Sequence, residues 1–320
     1  MTRFVSTLVI LYGSAMLLLG WYLRAAGDLT PAGMLLAFAP RWALLVPWAL
    51  LILLSWWRSK KVAVLAMIGA GATAFAVAGF ELPTAGEPTG QHALRLVTYN
   101  TDGSRTLASR IRRDLSEWDA DVIVFEDCPS MLADSLRKFR RDQVKVVNEL
   151  CFVSRLPIRH FEPMAMPRWD DRRTRAARID VEAPGGVVTV IGVHFPSPRT
   201  ALTAARQRNF GLLRRSIEQR ARISGEVRAW SAGTPHPVIV AGDFNMPQGS
   251  VLLRRDWGMW RNAFSERGWG FGHTMRVGPF AVRIDHVFVA PPLLPRRAHV
   301  LSGYPSEHQP VMVDIAWPQR

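Results

Sequence analysis

Apolar residues dominate the first quarter of the chain, in stretches separated by short polar segments. Residues 4–23 and 62–80 contain no charged side chain, and residues 42–57 are almost wholly apolar. A helix needs about 20 apolar residues to span a bilayer, so the first and third stretches qualify. The middle stretch reaches that length only with its polar flank. The pattern predicts a transmembrane region over residues 1–80, with helices at about 4–23, 34–57 and 62–80.

A cleaved signal peptide is the alternative interpretation of residues 1–27, which carry an arginine near their start. The further apolar stretches favour a multi-pass anchor. Because basic loops stay on the cytoplasmic side, the dense basic segment at residues 58–61 is expected inside. We therefore predict an integral membrane protein whose remaining domain is extracytoplasmic.

Residues 81–92 are rich in Pro and Gly and lack periodicity, which is typical of a linker. The turn at residues 184–186 joins two apolar runs as a hairpin, which a purely parallel sheet would not accommodate. The pattern predicts one α/β domain over residues 93–320, with two packed mixed sheets. Its strands are expected at 94–100, 121–126, 143–147, 150–155, 176–182, 187–194, 237–242, 282–289 and 311–317. Its helices are expected at 104–118, 130–140 and 200–223.

The charge balance of the 320-residue chain is basic. The formal net charge is +14, of which residues 1–80 hold +5 and the remainder +9. A basic domain beside a membrane suits an anionic partner, either nucleic acid or lipid headgroups. Simple colloidal solubility is the plainer explanation. No protein partner can be inferred.

Cys128 and Cys151 are the two cysteines of the chain. Their spacing does not match a metal site. An exported domain would permit a disulfide between them, and a pair of buried thiols is the alternative.

Polar side chains adjoin several of the apolar runs. Residues 238–245, 283–288 and 306–311 each couple an apolar run to a carboxylate, an amide or an imidazole. Polar groups at strand ends are where α/β folds gather reactive side chains. Acids with a histidine suit a hard divalent cation and phosphoester hydrolysis. Further motifs of interest occupy residues 96–103, 123–126, 151–158 and 190–197.

This ordered set of motifs resembles the endonuclease/exonuclease/phosphatase superfamily, the DNase I-like group. That group includes secreted nucleases, apurinic endonucleases, sphingomyelinases and inositol-polyphosphate phosphatases. The resemblance runs from Leu94 to about Trp317. It implies a four-layer sandwich, in which helices flank two packed mixed β-sheets. It also implies a hydrolase of phosphoester bonds that depends on Mg²⁺, with Mn²⁺ as the alternative cofactor.

The resemblance assigns the metal to Glu126, with Asn100 and Glu307 in support. Magnesium needs few protein carboxylates and retains several waters, which one strand-end Glu allows. The plainer alternatives are a surface Glu that ends a strand, and a pair formed by Asn100 and Asp102 that caps the next helix. Glu307 stands where the family usually has Asp, so its side chain is one methylene longer.

The resemblance assigns catalysis to five residues. Asp285 would orient His308, which would accept a proton from the attacking water. His194 would act on the phosphate or the leaving group. Asp243 would polarise the water, and the Asn245 amide would hold a phosphate oxygen.

Other side chains receive weaker interpretations. Arg155 and Arg178 are candidate phosphate contacts. A solvated loop is the alternative for the arginine cluster that includes Arg178, and Trp169 offers it a stacking partner. His286 should point to the opposite face of its strand from Asp285 and be structural. The cluster comprises Arg168, Arg172, Arg173, Arg175 and Arg178.

These observations predict a membrane-anchored, metal-dependent phosphodiesterase, most simply of the nuclease type. A phospholipid or sphingomyelin phosphodiesterase, or a phosphatase, is the alternative within the same chemistry. A catalytically inactive binding module is the alternative from another class. The physiological substrate is not fixed by the sequence.

Overall fold

The computed structural model describes residues 2–84, 86, 90–104, 107–139, 143–165 and 175–319. The helices are α1 (Thr2–Ala25), α2 (Pro31–Phe38), α3 (Leu45–Trp56), α4 (Lys60–Thr73), α5 (Leu107–Trp118), α6 (Ser130–Phe139), α7 (Arg199–Arg206), α8 (Phe210–Ala232), α9 (Val251–Trp257) and α10 (Ala263–Arg267). The strands of the first half are β1 (His92–Asn100), β2 (Val122–Glu126), β3 (Gln143–Val147), β4 (Leu150–Ser154), β5 (Ile158–Pro163), β6 (Ala176–Ala183) and β7 (Gly186–His194). The remaining strands are β8 (Val238–Asp243), β9 (Arg261–Asn262), β10 (Met275–Val277), β11 (Phe280–Val282), β12 (Asp285–Val289), β13 (Leu294–Val300) and β14 (Val311–Ala316).

Two six-stranded sheets form the body of the domain. The first has the order β13-β14-β1-β2-β4-β3, and the second has the order β5-β6-β7-β8-β12-β9. Each sheet is mixed, because β1 and β2 are parallel, as are β7 and β8, while their outer neighbours pair antiparallel. Strands β10 and β11 form a separate hairpin.

Strand alternation sorts the side chains into layers. In β1, Leu96 joins the core between the two sheets, whereas Tyr99 joins the core beneath α5 and α6. Helices α8 and α9 cover the outer face of the second sheet. The sheets approach closely at Gly192, where a Cβ atom would lie 2.7 Å from the side chain of Val124. The predicted four-layer α/β sandwich is confirmed.

The N-terminal helices expose large apolar side chains to their surroundings. Leu17, Leu18 and Trp21 of α1 are 66–71% exposed, which is unusual for a face meant for water. Helix α1 and the helical segment Lys60–Ala78 are long and apolar enough to cross a membrane. With the bent pair Pro31–Phe38 and Arg41–Trp56 counted as one span, there are up to three candidate spans in the described residues.

The prediction of one continuous second helix at 34–57 is wrong. Helix α2 and the segment Arg41–Trp56 meet at 84°. Ala39 is extended between them, because the ring of Pro40 disfavours the helical conformation in the preceding residue.

The N-terminal region is attached to the sandwich at several points. Asp28, in the turn after α1, accepts hydrogen bonds from the backbone N–H of Val251 at 2.8 Å and the hydroxyl of Ser250 at 2.5 Å. The guanidinium of Arg41 donates to the backbone oxygen of Gln248 at 3.2 Å. Asp28 thereby covers the N-terminus of α9 with a negative charge, which suits a helix dipole.

The first residues of the predicted linker are hydrogen-bonded to the sandwich domain. Glu81 and Gly270 exchange two backbone hydrogen bonds, and the backbone N–H of Thr84 donates to Glu266. The Pro and Gly content indicated the irregular backbone, but it carried no sign of these long-range partners.

Two secondary-structure predictions need correction, and several short elements were not predicted. The helix at 200–223 is divided into α7 and α8, because Arg208 adopts a φ of +60° and the Asn209 side chain caps α8 through Leu212. The strand at 282–289 is interrupted by Arg283 and Ile284, between β11 and β12. Strands β5, β9, β10 and β13 and the short helices α9 and α10 were not predicted, since none presents a sustained periodic pattern.

Cys128 and Cys151 form a disulfide that joins the segment after β2 to β4. Of the two interpretations left open by the sequence, the structure has the bonded pair. The crosslink fixes the chain directly after Glu126, the last residue of β2.

Replacing both cysteines by serine should lower the free energy of unfolding by about 3 kcal/mol. The crosslink joins residues 23 positions apart and so restricts the unfolded chain. Unfolding of the full chain in detergent, followed by circular dichroism, measures the difference. Dithiothreitol should destabilise the wild type and leave the double variant unchanged. A double variant as stable as the oxidised wild type would contradict this expectation.

Candidate active site

The alternation of side chains along the strands, which builds the core, also brings the polar residues at the strand ends to one edge of the two sheets. In each strand every second side chain faces the space between the two sheets. In β2, β7 and β8 the last residue of the strand is one of these, and the three residues are Glu126, His194 and Asp243. Strand β12 runs antiparallel to β8, so its first residue, Asp285, lies beside Asp243. His308 comes from the segment that leads into β14. The two sheets therefore bring these side chains together at one edge of the sandwich.

His308 and Asp285 form a buried imidazole–carboxylate pair. The Nδ1 atom of His308 lies 2.9 Å and 3.1 Å from the two carboxylate oxygens of Asp285. The Nε2 atom lies 4.0 Å from Oδ2 of Asp243. Burial opposes a charge on the ring, but the surrounding carboxylates, Asp285 first among them, outweigh it and raise the pKa of His308 to about 10.

Asp243 lies at the centre of the cluster. Its Oδ2 accepts the side-chain amides of Asn100 at 2.9 Å and Asn245 at 3.0 Å. Its Oδ1 accepts the backbone N–H of Asn245 at 2.7 Å. Burial and the charge of Asp285 raise the pKa of Asp243 to about 6. Because Nε2 of His194 lies 3.9 Å from the same Oδ2, both imidazoles face one carboxylate.

The two asparagines are held by local as well as cross-strand bonds. The Oδ1 of Asn100 accepts the backbone N–H of Asp102 at 2.9 Å, so Asn100 stabilises the turn after β1. Its amide also bonds to Asp243, so Asn100 belongs to the polar cluster as well. The amide nitrogen of Asn245 donates to the backbone oxygen of Phe195 at 2.9 Å as well as to Asp243. Both N–H groups of Asn245 therefore face inward, and the phosphate contact predicted for this amide requires the side chain to turn.

Glu126 is fully buried beneath this cluster. One carboxylate oxygen accepts the hydroxyl of Thr98 at 2.6 Å. The other is buried and has no hydrogen-bond partner among the described residues. Burial raises the pKa of Glu126 well above its ordinary value, and the charges of Asp285 and Asp243 add to the effect.

A divalent cation fits this arrangement. A buried carboxylate oxygen without a partner is costly unless it meets a positive charge, and oxygen ligands are what Mg²⁺ and Mn²⁺ take. Asp243, Asp285 and His308 offer ligand atoms that all lie within 4.8 Å of one another. Glu126 and the neighbouring carboxylates of Asp243 and Asp285 therefore offer the oxygen atoms that such a cation could take.

His194 faces two acids that the sequence analysis did not include. Its Nδ1 lies 3.4 Å from a carboxylate oxygen of Glu149 and 3.6 Å from one of Asp127. Burial opposes a charge on the ring, but the facing carboxylates raise the pKa of His194. No local pattern marks Glu149, which lies in the turn between β3 and β4. The adjacent disulfide brings it beside Asp127.

His286 occupies the opposite face of β12, as predicted. Its Nε2 lies 2.9 Å from the backbone oxygen of Met246, and its Nδ1 lies 3.2 Å from the amide nitrogen of Asn262. Burial, followed by the charge of Arg283, lowers the pKa of His286 to about 3. The ring is neutral and occupied by structural bonds.

Glu307 pairs with an arginine and not with the carboxylate cluster. It forms an ion pair with Arg199 of α7, and about a third of its side chain is exposed. The longer side chain reaches the arginine instead of the acids. The structure thus places Glu307 outside the group of Asp243, Asp285 and His308, and its assignment to the metal stays a prediction.

The arginines predicted to contact phosphate also lie elsewhere. Arg155 directly follows β4, beside the start of β2, whereas Glu126 lies at the other end of β2. The guanidinium of Arg155 forms an ion pair with Asp119. Arg178 stacks over the ring of Trp230 at 5.0 Å, on the outer face of the second sheet. Both assignments are corrected, since structural partners occupy the side chains. The remaining arginine cluster falls largely outside the described residues, at Arg168, Arg172 and Arg173 with Trp169.

A cavity of about 660 Å³ opens over the cluster and reaches the N-terminal region. His194, Asp243 and His308 line one part of it. Leu35 and Phe38 of α2 line another part. The apolar pattern of α2 predicted a membrane segment, and nothing in the sequence indicated that it borders the site.

Arg220 of α8 connects this wall to the polar cluster around Asp243. Its guanidinium donates to the backbone oxygen of Asn245 and lies 5.8 Å from the ring centroid of Phe38. Its Nη1 lies 4.0 Å from the sulfur of Met34. Burial lowers the pKa of Arg220 to about 10. Helix α8 contains several arginines, and nothing in the sequence distinguishes Arg220 from the others.

Known structures share this fold at low sequence identity. Humanized D. rerio TDP2 is 15% identical, with a TM-score of 0.55, over 70% of this chain and 98% of that one. A variant of the 3′ phosphatase NExo from Neisseria, bound to a product DNA hairpin, is 16% identical, with a TM-score of 0.53, over 70% and 100%. An endonuclease/exonuclease/phosphatase family protein from Bacteroides thetaiotaomicron is 16% identical, with a TM-score of 0.53, over 73% and 100%.

At these identities the structural likeness shows the fold alone. No curated protein matches the sequence significantly. The family comparison is more informative, because residues 97–308 match the Endonuclease/Exonuclease/phosphatase family, and this range begins in β1 and ends at His308. The chain therefore belongs to the Endonuclease/Exonuclease/phosphatase family.

Proposed function

We propose that this protein is a membrane-anchored, divalent-metal-dependent phosphodiesterase. The supporting observation is the arrangement around Asp243, where two imidazoles face one carboxylate and a buried oxygen of Glu126 has no partner among the described residues. A binding module without catalysis would have no need of this costly group of buried acids.

Glu126, with Asp243 and Asp285 nearby, would hold Mg²⁺ or Mn²⁺. Such a cation supplies charge stabilisation for the phosphoryl oxygens and lowers the pKa of bound water. The protein's own groups position the reacting phosphate and move its protons. Each correctly aimed donor contributes on the order of 3 kcal/mol to stabilisation of the transition state.

In this proposal His308 donates a proton or a hydrogen bond to the reacting phosphate. The Asp285 pair holds a proton on the ring at neutral pH, since the pKa of His308 is raised to about 10. Asp243 is better placed to accept a proton from water, because it faces both imidazoles and its pKa is about 6. We therefore reverse the role given to His308 by the sequence, and His194 remains a second donor to the phosphate.

Anchoring is supported by the geometry of the N-terminal helices. Residue 24 at the end of α1, residue 41 before α3 and Gly79 after α4 all lie against the 248–254 segment of the domain. The basic segment at residues 58–61 lies at the far end of α3 and α4. This arrangement agrees with alternating spans and an extracytoplasmic domain, in which the disulfide would persist.

Nucleic acid and lipid are the two phosphodiester classes that the protein could take. D. rerio TDP2 has been solved with a single strand DNA product, and NExo with a product DNA hairpin. These neighbours favour a nuclease-type reaction. The apolar part of the cavity wall favours a lipid substrate.

The reaction class is tested on the full chain purified in detergent. Bis(p-nitrophenyl) phosphate and plasmid DNA are offered with Mg²⁺, with Mn²⁺ or with EDTA, beside an Asp243→Asn variant prepared in parallel. We expect the wild type to hydrolyse the soluble diester with Mg²⁺ or Mn²⁺. Hydrolysis should stop in EDTA and in the Asp243→Asn variant. Hydrolysis that survives both EDTA and the substitution would identify a contaminant, and absence of turnover would end the proposal.

A further inference from the structure

The cavity over the catalytic cluster has two chemically different parts. The polar part holds His194, Asp243 and His308. The opposite part is lined by aliphatic and aromatic side chains from α2 and from the β10–β11 hairpin. These are Leu35, Phe38, Ala39, Met275, Val277 and Phe280.

Helix α2 is a fixed part of this wall. Thr30 caps its N-terminus through the backbone N–H of Gly33 at 3.1 Å. Met34 is completely buried against α7 and α8, in a cluster with Ala201 and Leu213. Because α2 is bound to the sandwich on one side, its other side presents Leu35 to the cavity in a defined position.

The hairpin joins the same wall to the membrane region. The indole N–H of Trp42 donates to the backbone oxygen of Pro279 at 3.1 Å. Val277 and Phe280, on either side of the hairpin turn, are 40% and 38% exposed. Trp42 lies in the short segment Arg41–Leu44, which continues into α3, and the outward side chains of α3 are apolar. The apolar wall is therefore continuous with the surface of the candidate membrane spans.

A ligand that fills both parts must be amphiphilic. Its anionic group would lie beside the imidazoles and the cation donors, near Arg199 and Arg206, which also line the cavity. Its apolar chain would lie between α2 and the hairpin, where burial of each methylene group is favourable. A polynucleotide has no such chain and would leave the apolar part of the cavity unfilled.

We propose that the substrate is a lipid phosphoester, taken from the bilayer with its apolar chain between α2 and the β10–β11 hairpin. This inference rests on the proposed phosphodiesterase function and names its substrate class. It assigns Leu35 and Val277 to substrate selection, and it gives the N-terminal region a part in the active site besides anchoring.

The test uses the full chain and two neighbouring leucines. Leu35 and Leu36 are equally exposed, at 37% and 38%, but Leu35 borders the cavity and Leu36 does not line it. Leu35→Ser, Val277→Ser and the control Leu36→Ser are compared in vesicles of phosphatidylglycerol and phosphatidylethanolamine. Release of the phosphorylated headgroup is measured beside turnover of bis(p-nitrophenyl) phosphate.

We expect Leu35→Ser and Val277→Ser to lower kcat/KM for the vesicle lipids about tenfold more than for the soluble diester, in line with partial burial of one apolar side chain. Leu36→Ser should match the wild type on both. Hydrolysis of the soluble diester or of DNA without lipid turnover would overturn the inference and leave the phosphodiesterase function standing. Equal losses in Leu35→Ser and Leu36→Ser would also overturn it, and inactivity on every substrate would end both proposals.

Discussion

Replacing Glu126 by Gln should remove most of the hydrolysis and, at the same time, stabilise the metal-free protein. The amide keeps the shape of the side chain and its bond to Thr98, but it removes the charge that, in the proposed function, would hold the cation. We expect turnover to fall about 10³-fold, as for the loss of several kcal/mol of charge stabilisation. The metal-free variant should gain on the order of 1–2 kcal/mol in stability, because the amide needs no proton to be buried, whereas the Glu126 carboxyl must take one up on folding.

The sign of the stability effect follows from the raised pKa of Glu126. The folded, metal-free protein holds this proton at a pH where the unfolded chain has lost it, so its stability falls as pH rises above the ordinary value of 4.5. The advantage of Glu126→Gln should therefore be absent below about pH 4 and grow toward neutral pH. Thermal unfolding in EDTA across this range measures it.

The matched control for this prediction is Glu182→Gln. Glu182 is exposed and paired with Arg159, so its loss should leave both turnover and stability nearly unchanged. A Glu126→Gln variant that still responds fully to Mg²⁺ would remove Glu126 from the donor set. A variant less stable than the wild type in EDTA at neutral pH would show that the carboxylate is adequately paired.

Replacing His308 by Asn should lower kcat about 10³-fold with little change in KM, since in the proposed reaction the imidazole donates a proton where charge develops. Asp285→Asn should act through the same ring, because Asp285 holds Nδ1 in place. The double variant should therefore lose no more than the worse of the two single variants. Single-turnover kinetics on the soluble diester measures all three.

His299→Asn is the control for this series, because His299 is exposed on β13 and borders a separate cavity. Stability provides a second readout. The stabilisation from protonated His308 is fully present below pH 6.5 and is lost as pH rises toward its pKa of about 10. His308→Asn should flatten the pH dependence of unfolding in that window. Additive losses in the double variant would show that the two side chains act separately.

The sequence predicted the parts of the site that follow from strand alternation. Glu126, His194 and Asp243 each end an apolar run, and a strand places such residues on the same face as its core positions. Once two sheets are packed face to face, these ends meet at one edge. The four-layer fold and this core of the cluster were therefore accessible from residue pattern together with family resemblance.

The remaining features depend on contacts that no local pattern encodes. Glu149 reaches His194 because β4 pairs with β2 and the adjacent disulfide joins the two segments. Glu307 is diverted by Arg199, which lies on a helix more than 100 positions away. Arg220 finds its partners on α2 and on the Asn245 loop. Long charged side chains have many reachable partners, so their final contacts follow from the assembled fold.

The contact between Asp28 and the start of α9 bears on how this protein can be dissected. A shortened version lacking residues 1–80 would leave Ser250 and Val251 without their acceptor, and it would uncover Arg220 beside the Asn245 loop. The soluble remainder would be an altered catalyst and not simply a released one. Kinetic constants measured on such a fragment would therefore describe a different molecule from the one that the full chain forms.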